Sequence, residues 1–327
     1  MTLRIHLLVI TSLVLAMPAS AEKFRFERPL MGTRFVIVCH SDDHDAATEA
    51  ANAAFRVAEE INAVASDHMP DSELSMLSTQ PAGKSVDLSP LLYTLLEFSR
   101  QTAEATEGAF DPTLGPLTKL WRETRDRRSL PDPEKLQFAR GRSGWQHFTL
   151  DSSTRTITLH CDNMAFDLGA VAKGYAADLM LESLSRSGIH QAMVVAGGEI
   201  RLGDPPPERS GWRVALQTFD TSSLDETIIL SNAAVSTSGD LFQSVEIEGI
   251  RYSHVLSPTT GLGLTQRIAA IVIADEAKLS DALSTAACVL GASASEKLRG
   301  FPGLRELRVK TPKETVLHYR ETIPTTH

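Results

Sequence analysis

The sequence predicts an α+β protein, and three observations carry that reading. Alternating strand-like runs and helix-like runs of 3.6-residue period are interspersed without the regular strand–helix–strand rhythm of a doubly wound sheet. The 327 residues are 42% hydrophobic and 22% charged with no low-complexity tract, which suits one large core or two modest ones. The formal charge of -9, with no basic run, argues against nucleic acid and against a cationic membrane-surface helix, and leaves room for an anion held locally.

The chain opens with Arg4, an apolar run from Leu7 to Met17, and Pro18-Ala19-Ser20-Ala21, the charged, apolar and small-residue parts of a secretory signal peptide. Cleavage is expected after Ala21, making residues 1–21 a signal peptide and residues 22–327 an exported, periplasmic domain. The apolar run is short for a membrane span, and no Cys stands at the cleavage site to carry a lipid; an uncleaved N-terminal anchor is the alternative. Cys39, Cys161 and Cys288 lie far apart without metal-ligand spacing, so they read as small buried hydrophobes, with one bridging pair as the other option.

Met31-Gly32-Thr33 leads into Arg34–Val38, an alternating strand, and Gly32 marks a tight backbone position. From Asp45 to Ala65 the apolar positions Ala51, Ala54, Phe55, Ala58 and Ile61 recur at helical spacing, and Pro70 ends the pattern. Ser89-Pro90 is a cap followed by proline at the first helical position, and it opens a helix that stops at Gly108. Gly108 to Leu117 is too rich in Gly and Pro to be regular and too apolar for a linker, so an ordered loop is expected there. Residues 122–144 read as a charged surface excursion, and Phe148 to Leu159 as a hairpin.

Next comes Phe166 to Asp178, where a carboxylate, two glycines and a lysine surround a turn that opens a helix. Gly169 permits close backbone approach, a helix start offers unpaired N–H groups, and Lys173 adds a full charge, which together suit a phosphate. A capping Asp with a solvated Lys is the plainer reading of the same residues. Ala192–Ala196 reads as a buried strand whose end, Gly197-Gly198-Glu199, suggests a ligand edge. Further strands are expected at Trp212–Thr218, Glu226–Leu230, Ile268–Ala274 and near Leu307–Val309, with hydroxyl-rich loops at Val235–Asp240 and His254–Gly261. A last helix runs from about Ser280 to Leu290. On it Asp281 and Thr285 share a face about 5–6 Å apart at Cβ, an oxygen pair that suits Mg²⁺ or Ca²⁺ better than zinc, or else a cap and its packed neighbour.

Five separated stretches, in order, resemble the ApbE family, the FAD:protein FMN transferases. They are Met31-Gly32-Thr33; Gly108 to Pro116 with Trp121; Asp167 to Asp178; Thr237-Ser238-Gly239-Asp240; and Asp281-Ala282-Leu283-Ser284-Thr285 before Gly291. The resemblance implies an ApbE-like, T-fold-related α+β architecture of mixed sheets flanked by helices. It implies Mg²⁺, or Mn²⁺ in its place, held by the side chains of Asp281 and Thr285 and the carbonyl of Ala170. It implies FAD contacts at Met31, Ala109, Phe110, Asp111, Asp167 and Lys173, with Phe110 and Met31 offering apolar surface to a flat ring, or else plain core packing. The implied reaction transfers FMN from FAD to a Thr or Ser hydroxyl of an acceptor flavoprotein, expelling AMP, and His254 matches the family's loop histidine as a candidate base.

Three departures from the family pattern stand out. Ser257 replaces an Asp, so a carboxylate orienting His254 or its loop is missing, and slow transfer that Ser257→Asp would speed is the expected consequence. Gly263 replaces a proline, which is expected to loosen the loop, and His68 replaces a larger aromatic that would stack on a flavin. An FAD pyrophosphatase and a non-catalytic flavin-binding protein are the alternative functions.

Overall fold

The computed structural model describes residues 21–217, 226–239, 243–312 and 315–320. Strand β1 (Glu22–Leu30) turns back on β2 (Thr33–Ser41) in register from Glu22↔Ser41 to Leu30↔Thr33. The two turn residues, Met31 at φ 49° and Gly32 at φ 70°, are both left-handed, which is the two-residue hairpin whose twist matches that of its strands. Helix α1 (His44–Ala65) follows, its first turn closed by Asp43 Oδ1, which accepts from Asp45 N and Ala46 N at 2.8 and 3.1 Å. Then come α2 (Glu73–Leu77), β3 (Ser85–Asp87) and α3 (Pro90–Ala105), which starts as its sequence predicts, with Ser89 Oγ accepting from Leu92 N.

Residues 122–144 depart from the expected excursion. Helix α4 (Gly115–Arg127) begins inside the glycine- and proline-rich loop, and α5 (Pro133–Arg140) fills most of the remainder. The signal was present: Asp132-Pro133 repeats the cap-then-proline pattern of Ser89-Pro90, and Asp132 Oδ1 accepts from Glu134 N at 2.8 Å. The charge density hid it, because only a narrow face of these helices is buried. Strands β4 (Phe148–Asp151) and β5 (Thr156–Leu159) form the expected hairpin, and β3 joins it at the β5 edge.

After α6 (Ala172–Arg186) the chain forms β6 (Ala192–Ala196), β7 (Glu199–Leu202), β8 (Trp212–Leu216), β9 (Glu226–Leu230), β10 (Ala233–Gly239), β11 (Ser244–Ile247), β12 (Ile250–Ser253) and β13 (Ala269–Ala274). Helices α7 (Ala277–Leu290) and α8 (Ala294–Leu298) and strands β14 (Leu304–Lys310) and β15 (Thr315–Arg320) complete the described fold. The main sheet runs β1-β2-β6-β7-β10-β13-β14-β15, and every described pairing in it is antiparallel.

Alternation along the strands divides two cores. Phe35, Ile37 and Cys39 of β2 face the helical layer of α1 and α6, while Val36 and Val38 face a second cluster closed by Trp212, Val214 and Leu216 of the β8–β9 hairpin. Strand β13 is buried at all six positions, which is why its sequence is unbroken apolar rather than alternating. The segment expected as a hydroxyl-rich loop at Val235–Asp240 is instead β10, a central strand as far as Gly239, with Asp240 outside the described residues. Its hydroxyls are satisfied by α7: Ser236 Oγ meets Ser280 Oγ at 2.7 Å and Ser238 Oγ meets Ser284 Oγ at 2.7 Å. All three thiols are free; Cys39 and Cys288 are buried hydrophobes as expected, whereas Cys161 is half-buried beside His147.

Helices α6 and α7 cross closely at Gly174. A Cβ there would lie 2.2 Å from Ala277 O and 2.8 Å from Lys278 N, with backbone on the receiving side that has no flexible end to yield. Gly174→Ala is therefore expected to lower the unfolding free energy by about 1–3 kcal/mol, the usual cost of overpacking, as read from the midpoint of urea denaturation.

Candidate active site

The crossing at Gly174 is reinforced one turn further along α6. The Asp178 carboxylate accepts from Ala277 N and Lys278 N at 2.8 and 2.9 Å, capping α7 from another helix, and lies 2.9 Å from Arg201 Nε. Burial pushes Asp178 up to about 6 against these donors. With the start of α7 pinned in this way, its next turn brings Asp281 to the start of α6, where Asp281 Oδ2 accepts from Gly174 N at 3.1 Å. That N–H belongs to the first turn of α6, whose donors have no acceptor within the helix. None of the described turn or cap hydrogen bonds ends on the Ala170 carbonyl.

Lys173 is placed beside this carboxylate. Its Nζ donates to Gly169 O at 2.6 Å and lies 3.6 Å from Asp281 Oδ2 and 3.7 Å from Glu199 Oε1. Burial opposes the lysine charge, but Asp281, Glu199 and Asp167 outweigh it and raise the lysine above its ordinary value. Both carboxyls are raised, first by burial; Glu199, which also feels the charge of Asp281, is pushed up to about 8. The two carboxyls are close enough to share a proton, and without that proton Glu199 Oε2 is buried and meets no donor among the described residues.

Thr285 stands one turn beyond Asp281 on α7, half-buried, with its Oγ1 3.2 Å from Ser238 Oγ. Among the described residues no three His, Cys, Asp or Glu side chains gather into a metal cage. The oxygens available are carboxylate, hydroxyl and carbonyl, a hard donor set that fits Mg²⁺ or Mn²⁺ and not zinc. Among the described residues, the Glu199 oxygen without a donor and the Ala170 carbonyl on which no turn or cap bond ends are what such a cation would satisfy.

The remaining predicted residues line two loops that are tied together. Asp167 N donates to Pro112 O at 2.8 Å, and Gly115 presses on the Ala165 backbone, where a Cβ would come within 2.7 Å. Asp167 Oδ1 accepts from Gly169 N at 2.8 Å, and its other oxygen lies 3.8 Å from Arg122 Nη2, which also holds Asp67 at 2.6 Å. His68 projects outward beside Asp67 with 70% of its side chain exposed.

Asp111 is a loop clamp: Oδ1 accepts from Thr113 N and Oγ1, Oδ2 from Trp145 N at 3.1 Å, and burial raises it above an ordinary carboxyl. It also borders a cavity of about 680 Å³ shared with Leu114, Leu136, Arg140, Gly144 and Pro258. Phe110 is 2% exposed and packs in the main core. Ala109 is buried too, while Met31 sits half-buried on the hairpin tip, next to the Gly197 turn that Thr33 touches.

His254 follows β12. Its backbone N and its Nδ1 both reach Gln243 O, at 3.1 and 3.2 Å, which leaves Nε2 as the basic nitrogen. Burial lowers the imidazole below its ordinary value; the Gln243 bond opposes this, while Arg125 and Lys173 are near enough to add to it. Ser257 takes no part in holding the ring. Its Oγ accepts from Thr260 N at 3.2 Å and its backbone bonds Leu262 O and Gly261 N, so it closes the loop itself. Gly263 does not loosen the loop either: a Cβ there would lie 2.2 Å from Ser253 O and 2.6 Å from the Trp121 ring. Gly261, at φ 72°, likewise presses on Leu117 and Leu136, so α4 and α5 are the platform for the histidine loop.

A family model described as ApbE matches residues 31–303. The chain belongs to the ApbE family. It is 31% identical over 277 residues to the FAD:protein FMN transferase of Vibrio cholerae, covering 83% of this chain and 82% of that one. It is 32% identical over 270 residues to the protein of that name from Treponema pallidum, covering 77% and 75%. Among solved structures, the apo flavinyl transferase ApbE of Pseudomonas stutzeri superposes with a TM-score of 0.79 at 26% identity over 91% of this chain and 94% of that one. The ApbE protein of Thermotoga maritima gives 0.82 at 27% identity over 90% and 97%.

Of the residues singled out from sequence, Lys173, Asp281, Thr285 and the Ala170 turn converge, and Asp167 joins them through its loop. Sequence reasoning passed over Asp178 and Arg122 as site residues, and it placed Glu199, the carboxylate behind two glycines, at a ligand edge without giving it a role. Because Ser and Asp can both accept from Thr260 N, Ser257→Asp is expected to match the wild type in thermal stability. Ser257→Ala is expected to lose about 1 kcal/mol, as differential scanning calorimetry on the three proteins would register.

Proposed function

We propose that this ApbE-family chain transfers FMN from FAD to a Thr or Ser hydroxyl of an acceptor flavoprotein and releases AMP. The observation that carries the reading is the Lys173, Asp281 and Glu199 cluster at the α6–α7 crossing, next to an unbonded carbonyl and within the field of a histidine whose Nε2 is available. The names of the relatives support it. In this reading Asp281, Thr285 and the Ala170 carbonyl hold Mg²⁺, which when bound would neutralise the pyrophosphate and the leaving oxygen. Lys173 and the start of α6 face the same anion. His254 Nε2 accepts the proton of the acceptor hydroxyl as its oxygen bonds to the FMN phosphorus and the bond to the AMP phosphate oxygen breaks.

The reading is tested by incubating the protein with FAD and Mg²⁺, with and without a threonine-bearing acceptor. AMP that forms only with acceptor, beside a flavin-labelled acceptor, is the expected result; AMP and FMN without acceptor would instead make the protein a pyrophosphatase, and unchanged FAD a binding protein. Asp281→Ala is expected to remain folded and lose Mg²⁺-dependent turnover. Because burial lowers His254, its neutral form persists below the ordinary histidine range. The acid limb of kcat/KM against pH should therefore have its midpoint below 6.5, and His254→Ala should remove that limb and cost about 10²–10⁴ in rate.

Export is inferred from residues 1–21, which lie outside the described structure apart from Ala21, and strand β1 begins at Glu22, directly after the expected cleavage point. No described helix is long and apolar enough to cross a membrane. Mass spectrometry of protein from its native host should find Glu22 as the first residue.

A further inference from the structure

Glu199 is the residue of this site that neither the transfer chemistry above nor the packing accounts for. It ends the Gly197-Gly198 turn between β6 and β7, pairs in register with Ser236 of β10, and is 5% exposed. A carboxylate so deep is destabilising unless each oxygen has a partner. Oε1 lies 3.7 Å from the Lys173 ammonium, beyond hydrogen-bond distance, and Oε2 has no donor among the described residues. Its other close neighbour is the carboxylate of Asp281, like in charge. Lys173 therefore faces two carboxylates with one ammonium, contacting both at 3.6–3.7 Å while its single short bond goes to Gly169 O at 2.6 Å. With both carboxylates ionised, one positive charge is spread over an arrangement that a divalent cation would neutralise in full.

We propose that Glu199 supplies a further oxygen to the cation of this centre, directly or through one bound water, and that the ammonium of Lys173 stands here in the place the cation takes. The geometry gives the two residues opposite effects on metal binding. Removing the Glu199 charge removes a ligand, whereas removing the Lys173 charge removes a competitor. Displaced from the carboxylates, Lys173 has the length to turn toward a phosphate at the start of α6. The inference rests on the cation reading of Asp281 and Thr285 given above, and adds a member to that set.

The test is Mn²⁺ titration of the full protein without FAD, following free Mn²⁺ by electron paramagnetic resonance, with circular dichroism as the check on folding. Glu199→Gln is expected to weaken Mn²⁺ binding roughly tenfold or more, and Glu199→Asp, which keeps the charge, to lose less than Gln. Lys173→Met is expected to bind Mn²⁺ at least as tightly as the wild type. Wild-type affinity in Glu199→Gln would overturn the proposal, as would equal losses in Gln and Asp, a loss explained by unfolding of the metal-free variant, or weaker binding in Lys173→Met. Failure of the underlying reading looks different: the wild type itself would take up no Mn²⁺, or Asp281→Ala would bind as well as wild type.

Discussion

The contact of Gly174 with the first turn of α7 is the constraint on which the site depends. Two helices can approach to backbone distance only where one lacks a side chain, and here Ala277 O occupies the space a Cβ would need. Two consequences follow from that one approach. Asp178 can reach the free N–H groups of Ala277 and Lys278, and Asp281 can reach Gly174 N. A larger residue at position 174 would separate the helices and disperse the oxygens together, so the packing of the core and the chemistry of the site are not independent here.

Around that centre the loops are held partly by one another and partly by the helices they pack on. The 108–116 loop is held by the Asp111 clamp and bonded to Asp167, and the histidine loop is pressed through Gly261 and Gly263 onto α4 and α5. Trp121 serves both sides, packing edge-on to Tyr252 of β12 at 5.6 Å between centroids while its ring bounds Gly263. Gly263 thus accommodates a close neighbour, and Ser257 makes a loop bond that an aspartate in its place could also make.

The charge pattern at the centre is unfavourable for the folded chain alone. Glu199 and Asp281 lie deep, with a single ammonium between them, and both carboxyls are raised by burial. Arrangements of that kind are retained where a ligand neutralises them. Thr285, Ser238, Ser284, Ser236 and Ser280 surround the pair with hydroxyls that bond one another between β10 and α7, a polar seam whose every described member has a partner.

How much of this was legible in the sequence varies with the range of the cause. Helix starts at Ser89-Pro90, the α1 periodicity, the β4–β5 hairpin and the turn at Gly32 are local, set by one residue's backbone preference or by side-chain spacing along a few turns, and they could be read directly. So could the proximity of Asp281 to Thr285, which the helix repeat alone guarantees. Strand β10 is not legible in the sequence because its hydroxyls are satisfied by partners 44 and 46 residues away on α7. The charged faces of α4 and α5 concealed their buried ones, and local sequence did not state the burial of Phe110. What brought Lys173, Glu199 and Asp281 together was tertiary: three residues on α6, β7 and α7 meet because Gly174 lets two backbones touch, and no pattern along the chain encodes which two backbones those will be.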